Sequence, residues 1–250
     1  MLPHARGEVS YMDEGHRKIG IMGVQCFDGP CNPWTKMGCV SCGIRPMKVY
    51  TGNDGKLSAI RICNENGWGM FHSAKYDARP YQYHALDNGA FQAWVTGRIW
   101  NPEPFIDALT KYEEKGPALD FVVVPDIVAG GLESLKFSIG WLDRLDTKSR
   151  KYLAVQDGMT ESDILPIIKR FGGLFVGGTL DWKYMTSKTW TDIAHRSGLP
   201  CHIGRVGVWD KIVWASRIGA DSIDSTSWAR NNSYHHLIRA KEQTTLAEEK

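Results

Sequence analysis

The alternation of short apolar runs with helix-like stretches most constrains how this chain can fold. From about residue 80 onward, apolar runs end in polar or glycine-rich turns, and helix-like stretches separate them. The runs span 83–91, 119–128, 152–159, 173–179, 200–206 and 220–225, and the helix-like stretches span 103–115, 132–145, 161–171, 189–197 and 209–218. Nearly continuous apolar strands that alternate with helices are typical of a parallel sheet covered on its outside. We therefore expect an α/β protein.

The positions of the polar residues favour a closed barrel. Polar and glycine residues lie at the carboxyl ends of the predicted strands, at Asp87, Asp126, Gln156, Gly177, Gly178, Arg205 and Asp224. A (β/α)8 barrel carries its active site at that end. A doubly wound open sheet would arrange such residues similarly, but no glycine-rich nucleotide-binding motif follows a run. We predict a (β/α)8 TIM barrel whose first two strands are 18–24 and 57–63.

Length and composition predict a water-soluble protein with one domain over residues 1–250. Hydrophobic residues make up 42% of the 250 residues. No apolar run approaches the roughly 18 residues that span a bilayer, and the N-terminus lacks the apolar core of a signal peptide. We therefore expect no membrane partner and a cytoplasmic location.

Charge is a weaker guide to the partner. The net charge is only +2. Residues 196–241, however, contain seven Lys or Arg and only three Asp or Glu. This local surplus is consistent with a surface for phosphate groups, and a solvated helix face would explain it nearly as well.

Four of the six cysteines are crowded into a short segment, at Cys26, Cys31, Cys39 and Cys42. In a reducing compartment, clustered thiols are more often metal ligands than disulfides. The Cys39-Val-Ser-Cys42 spacing suits a zinc knuckle, in which four thiolates surround the ion tetrahedrally. We expect residues 20–50 to form a zinc-braced amino-terminal insertion, with free, partly buried thiols as the alternative. The sequence contains no His-x-x-x-His spacing, so it does not indicate a catalytic metal. We also expect no organic cofactor.

Two strand-end carboxylates, Asp87 and Asp224, suit chemistry at a sugar carbon. One carboxylate can act as the nucleophile while the other moves protons. Acidic residues at strand ends are also common as helix caps, so neither residue alone identifies an enzyme.

An ordered set of segments is more specific. The segments are LDNGAFQ at 86–92, VPD at 124–126, VQDG at 155–158, GGLFVGG at 172–178 and GADSIDS at 219–225. In this order they resemble five motifs of the tRNA-guanine transglycosylase family, over roughly residues 83–230. Two departures are that Gly178 stands where the family has a glutamate, and that Arg205 interrupts a Gly-Val-Gly turn.

The resemblance implies a role for each matching residue. Asp224 would be the nucleophile on C1′ of the target nucleoside, and Asp87 the general acid/base. Asp126 and Gln156 would accept from and donate to the pairing edge of the purine. The main chain at Gly177 and Gly178 would reach its exocyclic oxygen, and Phe91 would stack on the ring. From its position beside the nucleophile strand, Arg205 is a candidate for phosphate binding.

The family's carboxyl-terminal zinc site, Cys-x-Cys-x-x-Cys with a histidine, has no counterpart after Asp224. This departure favours the DNA-guanine transglycosylases, often phage-encoded, over the tRNA enzymes. The expected partners are DNA and a free 7-deazaguanine such as preQ0 or preQ1, in the host cytoplasm if the protein is phage-encoded. The alternatives are a tRNA enzyme, a nucleic-acid-binding barrel without exchange activity, and a glycosidase or nucleoside hydrolase. The oligomeric state is open.

The cysteine cluster generates a first testable prediction. If Cys26, Cys31, Cys39 and Cys42 bind zinc, the purified protein carries about one equivalent, and a chelator melts the amino-terminal segment first because metal binding supplies its folding energy. Metal analysis and thiol titration check this. A stable, metal-free protein with four freely titrating thiols would contradict it.

Overall fold

The computed structural model describes residues 47–52 and 57–246 and has eight parallel strands closed into a barrel. The strands pair in sequence order, and β8 closes the barrel by pairing with β1. The protein is therefore a (β/α)8 TIM barrel, as predicted. The strands are β1 Lys48–Thr51, β2 Gly69–Ser73, β3 His84–Asp87, β4 Leu119–Val123, β5 Arg150–Val155, β6 Gly173–Val176, β7 Cys201–Ile203 and β8 Ser222–Ser225.

Helices follow the strands and cover the outside of the barrel. They are α1 Leu57–Asn66, α2 Ala90–Val95, α3 Glu103–Lys115, α4 Gly131–Leu142, α5 Glu161–Ile164, α6 Leu180–Arg196, α7 Trp209–Arg217, α8 Ser227–Arg230 and α9 His235–Leu246, with a 3-10 turn at Ile168–Arg170. In the described part of the chain, no helix is long and apolar enough to cross a membrane.

Helix α3 illustrates why the sequence forms these elements. Pro102 precedes its first residue, Glu103 lies in the first turn, and Lys115 lies in the last turn. These charges complement the helix dipole. The buried side chains, Phe105, Ala108, Leu109 and Tyr112, recur at helical spacing and form one face against the barrel.

Two apolar clusters separate the inside of the barrel from its outside. Successive strand residues point to opposite faces. One set packs between strands and helices, and it includes Leu153, Leu174 and Ile203. The other set fills the barrel interior and includes Tyr50, Phe121 and Tyr152, with Phe71 and Phe175 packed against it. The Phe121 and Tyr152 rings stack with centroids 4.2 Å apart. This aromatic interior supports the residues at the carboxyl ends of the strands.

The structure corrects the prediction for the first strands. Residues 57–63 belong to helix α1, not to a strand. Ala59 and Cys63 are both buried, and their spacing of four residues is helical. The second strand is β2, and the first is β1. The predicted strand 18–24 lies outside the described residues.

Two helix predictions also change. Helix α6 begins at Leu180, nine residues before the predicted start, and its buried face includes Lys183, Ser187 and Thr191. These polar residues hid the apolar periodicity. The predicted helix 161–171 is broken, because Pro166 lacks the N–H that a continuous helix needs.

Candidate active site

The predicted site residues meet at the carboxyl end of the barrel. Side chains two positions apart along a strand point to the same face. Two residues before each of Asp87, Gln156 and Asp224 lies an inward-facing residue, so these three side chains point into the open carboxyl end of the barrel, which we call the mouth. Asp126 follows β4 and contacts Gln156. The barrel therefore brings together four residues that are scattered over the sequence.

Asp224 is held through one of its two carboxylate oxygens. His202 Nε2 lies 3.0 Å from Oδ1, and the backbone N–H of Arg205 donates to the same atom at 3.2 Å. The residue is buried, with 5% of its surface exposed. Among the described residues, no donor reaches Oδ2. Oδ2 is thus the oxygen that keeps its lone pairs for a ligand.

His202 connects Asp224 to Ser222 inside the barrel. Its ring is fully buried and stacks on Phe175, with centroids 4.9 Å apart. Burial lowers the pKa of His202 below its usual value, although Asp224 opposes this effect. A neutral imidazole has one N–H, and a carboxylate only accepts, so Nε2 carries the hydrogen toward Asp224. Nδ1 then accepts from the Ser222 hydroxyl at 2.8 Å.

Asp87 has a different environment. Its Oδ2 accepts from the backbone N–H of Gly89 at 3.2 Å and weakly from Ser73 at 3.4 Å. Burial raises the pKa of Asp87 to about 7, and the carboxylates of Asp126 and Asp224 add to the rise. A carboxyl group with this pKa can both give and take a proton near neutral pH.

Asp126 and Gln156 form a buried polar network with two residues that the sequence did not single out. Asn88 donates to Asp126 Oδ1 at 2.8 Å, and Gln156 Nε2 donates to Asp126 Oδ2 at 3.3 Å. Gln156 Nε2 also donates to Ser134 Oγ at 2.7 Å. Burial raises the pKa of Asp126 to about 6, and the Asn88 and Gln156 bonds oppose the rise. The network fixes the direction of each polar group.

Both hydrogens of the Gln156 amide are therefore engaged. A ligand that accepts from Gln156 would take the hydrogen that now reaches Asp126, because the 3.3 Å bond is the longer of the two. Among the described residues, no donor reaches the side-chain oxygen Oε1 of Gln156.

The predicted glycine and arginine positions follow β6 and β7, the next strands around the barrel after that of Gln156. The Gly177 N–H donates to Val155 within the sheet, and the Gly178 carbonyl accepts from the Arg205 guanidinium. The Gly178 N–H has no partner among the described residues. The Arg205 guanidinium also lies 4.6 Å from the centre of the Phe91 ring. Arg205 is thus anchored within the protein, and Phe91 is 38% exposed beside it.

Exposed apolar side chains surround the mouth on the loops and helix starts that follow the strands. After β3, Trp94 is 56% exposed and Ile99 is 97% exposed. Other exposed apolar residues follow β4, β6 and β7, at Ile127, Leu180 and Val208. Apolar and aromatic surface around a polar mouth suits a ligand with flat, stackable faces.

Other parts of the described chain carry no comparable chemistry. A cavity of about 1270 Å³ opens at the opposite end of the barrel, beside Lys48, Asp120 and Arg150. In barrels of this type, that end serves stability, not catalysis. Within residues 47–52 and 57–246, no cluster of His, Cys, Asp or Glu could hold a metal ion. Cys26, Cys31, Cys39 and Cys42 lie outside the described residues.

Sequence reasoning missed Asn88, Ser134, His202 and Lys183. Each is a polar residue buried beside a predicted site residue. His202 had a signal, because it lies at an inward position of a short apolar strand. Ser134 and Lys183 lie on helices, and their partners are far away in the sequence.

No family model matches the chain, and no curated protein sequence matches it. The geometry and chemistry of the mouth must therefore carry the functional argument.

The environment of Asp87 predicts a pH-dependent stability change. Its folded-state pKa of about 7 exceeds the unfolded value of roughly 3.9, so rising pH between these values destabilises the fold. Asp87→Asn removes this titration. We expect the variant to gain unfolding free energy, and the gain to be larger at pH 8 than at pH 5 by about 1–3 kcal/mol.

Urea unfolding at the two pH values measures this difference. Asp143→Asn is the matched control, since the Asp143 side chain is 78% exposed and should give similar values at both. An Asp87→Asn gain that is equal at pH 5 and pH 8 would contradict the raised pKa of Asp87.

Proposed function

We propose that the protein is a base-exchange transglycosylase that replaces guanine in DNA with a 7-deazaguanine of the preQ0 or preQ1 type. The observation that carries this proposal is the contrast between two carboxylates in one mouth. Asp224 is held through Oδ1 by two donors, whereas burial raises the pKa of Asp87 to about 7. Environments that separate two carboxylates in this way divide the roles of nucleophile and proton carrier.

The reaction would proceed in two displacements at C1′. Asp224 Oδ2 attacks C1′, the bond to guanine N9 breaks with its electron pair on guanine, and Asp87 donates a proton to the departing base. The sugar is then held as an ester of Asp224. In the second step, N9 of the incoming base attacks C1′, Asp224 leaves as a carboxylate, and Asp87 takes up the proton of that nitrogen. Atoms and charges balance over the two steps.

The polar network across the mouth supports recognition of a guanine-like edge. Asp126 presents carboxylate oxygens whose positions Asn88 and Gln156 fix. A carboxylate is suited to accept from the N1–H and the exocyclic amine of guanine or 7-deazaguanine. The free N–H of Gly178 is a donor for an exocyclic oxygen. A site built from fixed polar groups discriminates strongly against a base that leaves them unpaired.

Two features support a polynucleotide substrate. The exposed aromatic and apolar residues at the rim, Phe91, Trp94 and Ile99, offer stacking surfaces for bases next to an extruded nucleotide. Along the sequence, the strand of Asp224 lies within residues 196–241, which carry a surplus of Lys and Arg, although Arg196 and Arg217 end helices α6 and α7 at the far end of the barrel. The preference for DNA over tRNA rests on the sequence resemblance alone.

The nucleophile assignment is tested by trapping the intermediate. We expect wild-type protein mixed with guanine-labelled DNA to release label when preQ0 is present, and denaturation to trap a protein–DNA adduct. Asp224→Asn abolishes both, because an amide keeps the volume of the side chain but is a poor nucleophile. Asp221→Asn, at the opposite end of β8, is the control and keeps both.

The outcomes separate the alternatives. Release of more than one equivalent of label per protein without preQ0 would indicate hydrolysis in place of exchange, because formation of the adduct itself releases one equivalent. DNA binding with no release and no adduct would indicate a binding protein without exchange activity. Turnover of Asp224→Asn at a near wild-type rate would show that Asp224 is not the nucleophile.

The choice of DNA generates a separate prediction. We expect DNA to compete better than an unmodified tRNA for the site, with an affinity that falls steeply with salt as phosphate contacts release counterions. Competition and label release at several salt concentrations measure this. Label released from tRNA but not from DNA would overturn the substrate while leaving the transglycosylase proposal standing. A shallow salt dependence would indicate a nucleoside-sized substrate.

A further inference from the structure

Lys183 is a fully buried lysine that the proposed reaction does not use. It lies on helix α6, and its Nζ donates to the carbonyl oxygen of Gly204. Lysine is almost never fully buried unless it has a partner, because removing its charge from water is costly. A buried lysine beside the mouth therefore calls for an explanation.

The Gly204–Arg205 peptide connects this lysine to Asp224. The Gly204 carbonyl and the Arg205 N–H belong to the same peptide unit, so Lys183 binds one end and Asp224 Oδ1 binds the other, at 3.2 Å. Arg205 has a φ of +60°, a conformation that is uncommon for residues other than glycine. A Cβ at Gly204 would come within 2.7 Å of the Phe175 ring and 3.3 Å of Asp224 Oδ1. The peptide thus lies tightly against the carboxylate in a specific orientation.

We propose that Lys183 is a positioning residue for Asp224 and acts through the Gly204–Arg205 peptide. A donor on the carbonyl polarises the peptide and strengthens its N–H as a donor, which is the cooperative effect known for chains of hydrogen bonds. Lys183 and His202 would then act together to hold Oδ1, so that Oδ2 faces the substrate. This role rests on the proposed function, since it presupposes that Asp224 attacks a sugar carbon.

The charges near Lys183 agree with this arrangement. Burial and, to a smaller extent, the nearby Arg205 guanidinium together lower the pKa of Lys183 to about 7, although Asp224 opposes both effects. His202 is the third ionisable group beside it. A neutral amine and an ammonium both donate N–H bonds, so the contact with Gly204 persists on either side of neutral pH. The polarising charge is greatest below pH 7.

The direct test is the backbone amide proton of Arg205, observed by NMR in protein labelled with 15N-arginine. We expect Lys183→Met to move this resonance upfield, because the peptide loses its donor and its N–H bond to Asp224 weakens. In an Asp87→Asn background, where Asp87 does not titrate, the resonance should shift with an inflection near pH 7. The inflection should disappear in Lys183→Met. Lys188→Met is the matched control, since Lys188 lies on the same helix in an exposed pair with Asp192.

Kinetics give the second readout. Lys183→Met should lower kcat for exchange on the order of tenfold to a hundredfold, the effect of misplacing a reacting group. KM for the free base should stay within twofold, because Asp126 and Gln156 form the base-binding edge. Lys183→Gln keeps a donor without the charge and should fall between wild type and Lys183→Met. If Lys183→Met fails to fold, as judged by thermal melting, Lys183→Gln replaces it in both measurements.

The two readouts distinguish failure of this inference from failure of the proposed function. An Arg205 amide resonance that does not move in a folded Lys183→Met or Lys183→Gln variant overturns the role of Lys183, whatever the activity. An unchanged kcat with a shifted resonance overturns it as well. A wild-type protein that forms no adduct with any nucleic acid rejects the proposed function, and with it the attack that Lys183 would assist.

Discussion

The aromatic packing inside the barrel is the constraint on which the site depends. Phe121 stacks on Tyr152, Tyr50 packs edge-on against Phe121, and Phe175 stacks on His202. These rings fill the space below the mouth. The polar groups above them are therefore surrounded by protein and poorly hydrated, which raises the pKa values of Asp87 and Asp126 and lowers those of His202 and Lys183.

The same packing surrounds three aspartates that differ in their hydrogen-bond donors. Burial raises the pKa values of Asp87 and Asp126, and the hydrogen-bond donors to each carboxylate oppose that rise. Asp224 receives a histidine and a backbone N–H on one oxygen, and Asp126 receives two side-chain amides. Asp87 receives a backbone N–H and a distant hydroxyl. Three residues of one type thus have three different hydrogen-bonding environments, and the proposed function gives each a different role.

Much of the fold was predictable because six strands are short apolar runs that end in polar residues. The parallel strands β3 to β8 follow from that pattern, and the lack of a glycine-rich nucleotide-binding motif favoured a closed barrel over an open sheet. Strands β1 and β2 were missed because they lie before residue 80, outside the regular alternation of apolar runs and helix-like stretches, and because β2 begins at a glycine. Helix α6 was predicted too short, because Lys183 and Ser187 are polar residues on its buried face.

The site was predictable only in part, for a related physical reason. Strand ends converge in any parallel barrel, so Asp87, Asp126, Gln156 and Asp224 could be grouped before the structure was known. The groups that orient them could not. Asn88 lies next to Asp87 in the sequence, yet its side chain donates a hydrogen bond to Asp126, 38 residues away. Such contacts depend on the register between strands, which periodicity does not reveal.

Gly178 illustrates how the surroundings restrict a single position. Its φ is +70°, and an added Cβ would lie 2.6 Å from both the Asp157 carboxylate and the Trp182 ring. Asp157 is itself held in place by Thr179, at the start of helix α6. Any side chain introduced at this position would require the Asp157 carboxylate and the Trp182 ring to move, and it would also adopt a backbone conformation that L side chains rarely take. The position is therefore restricted twice, once by its own backbone and once by the side chains packed around it.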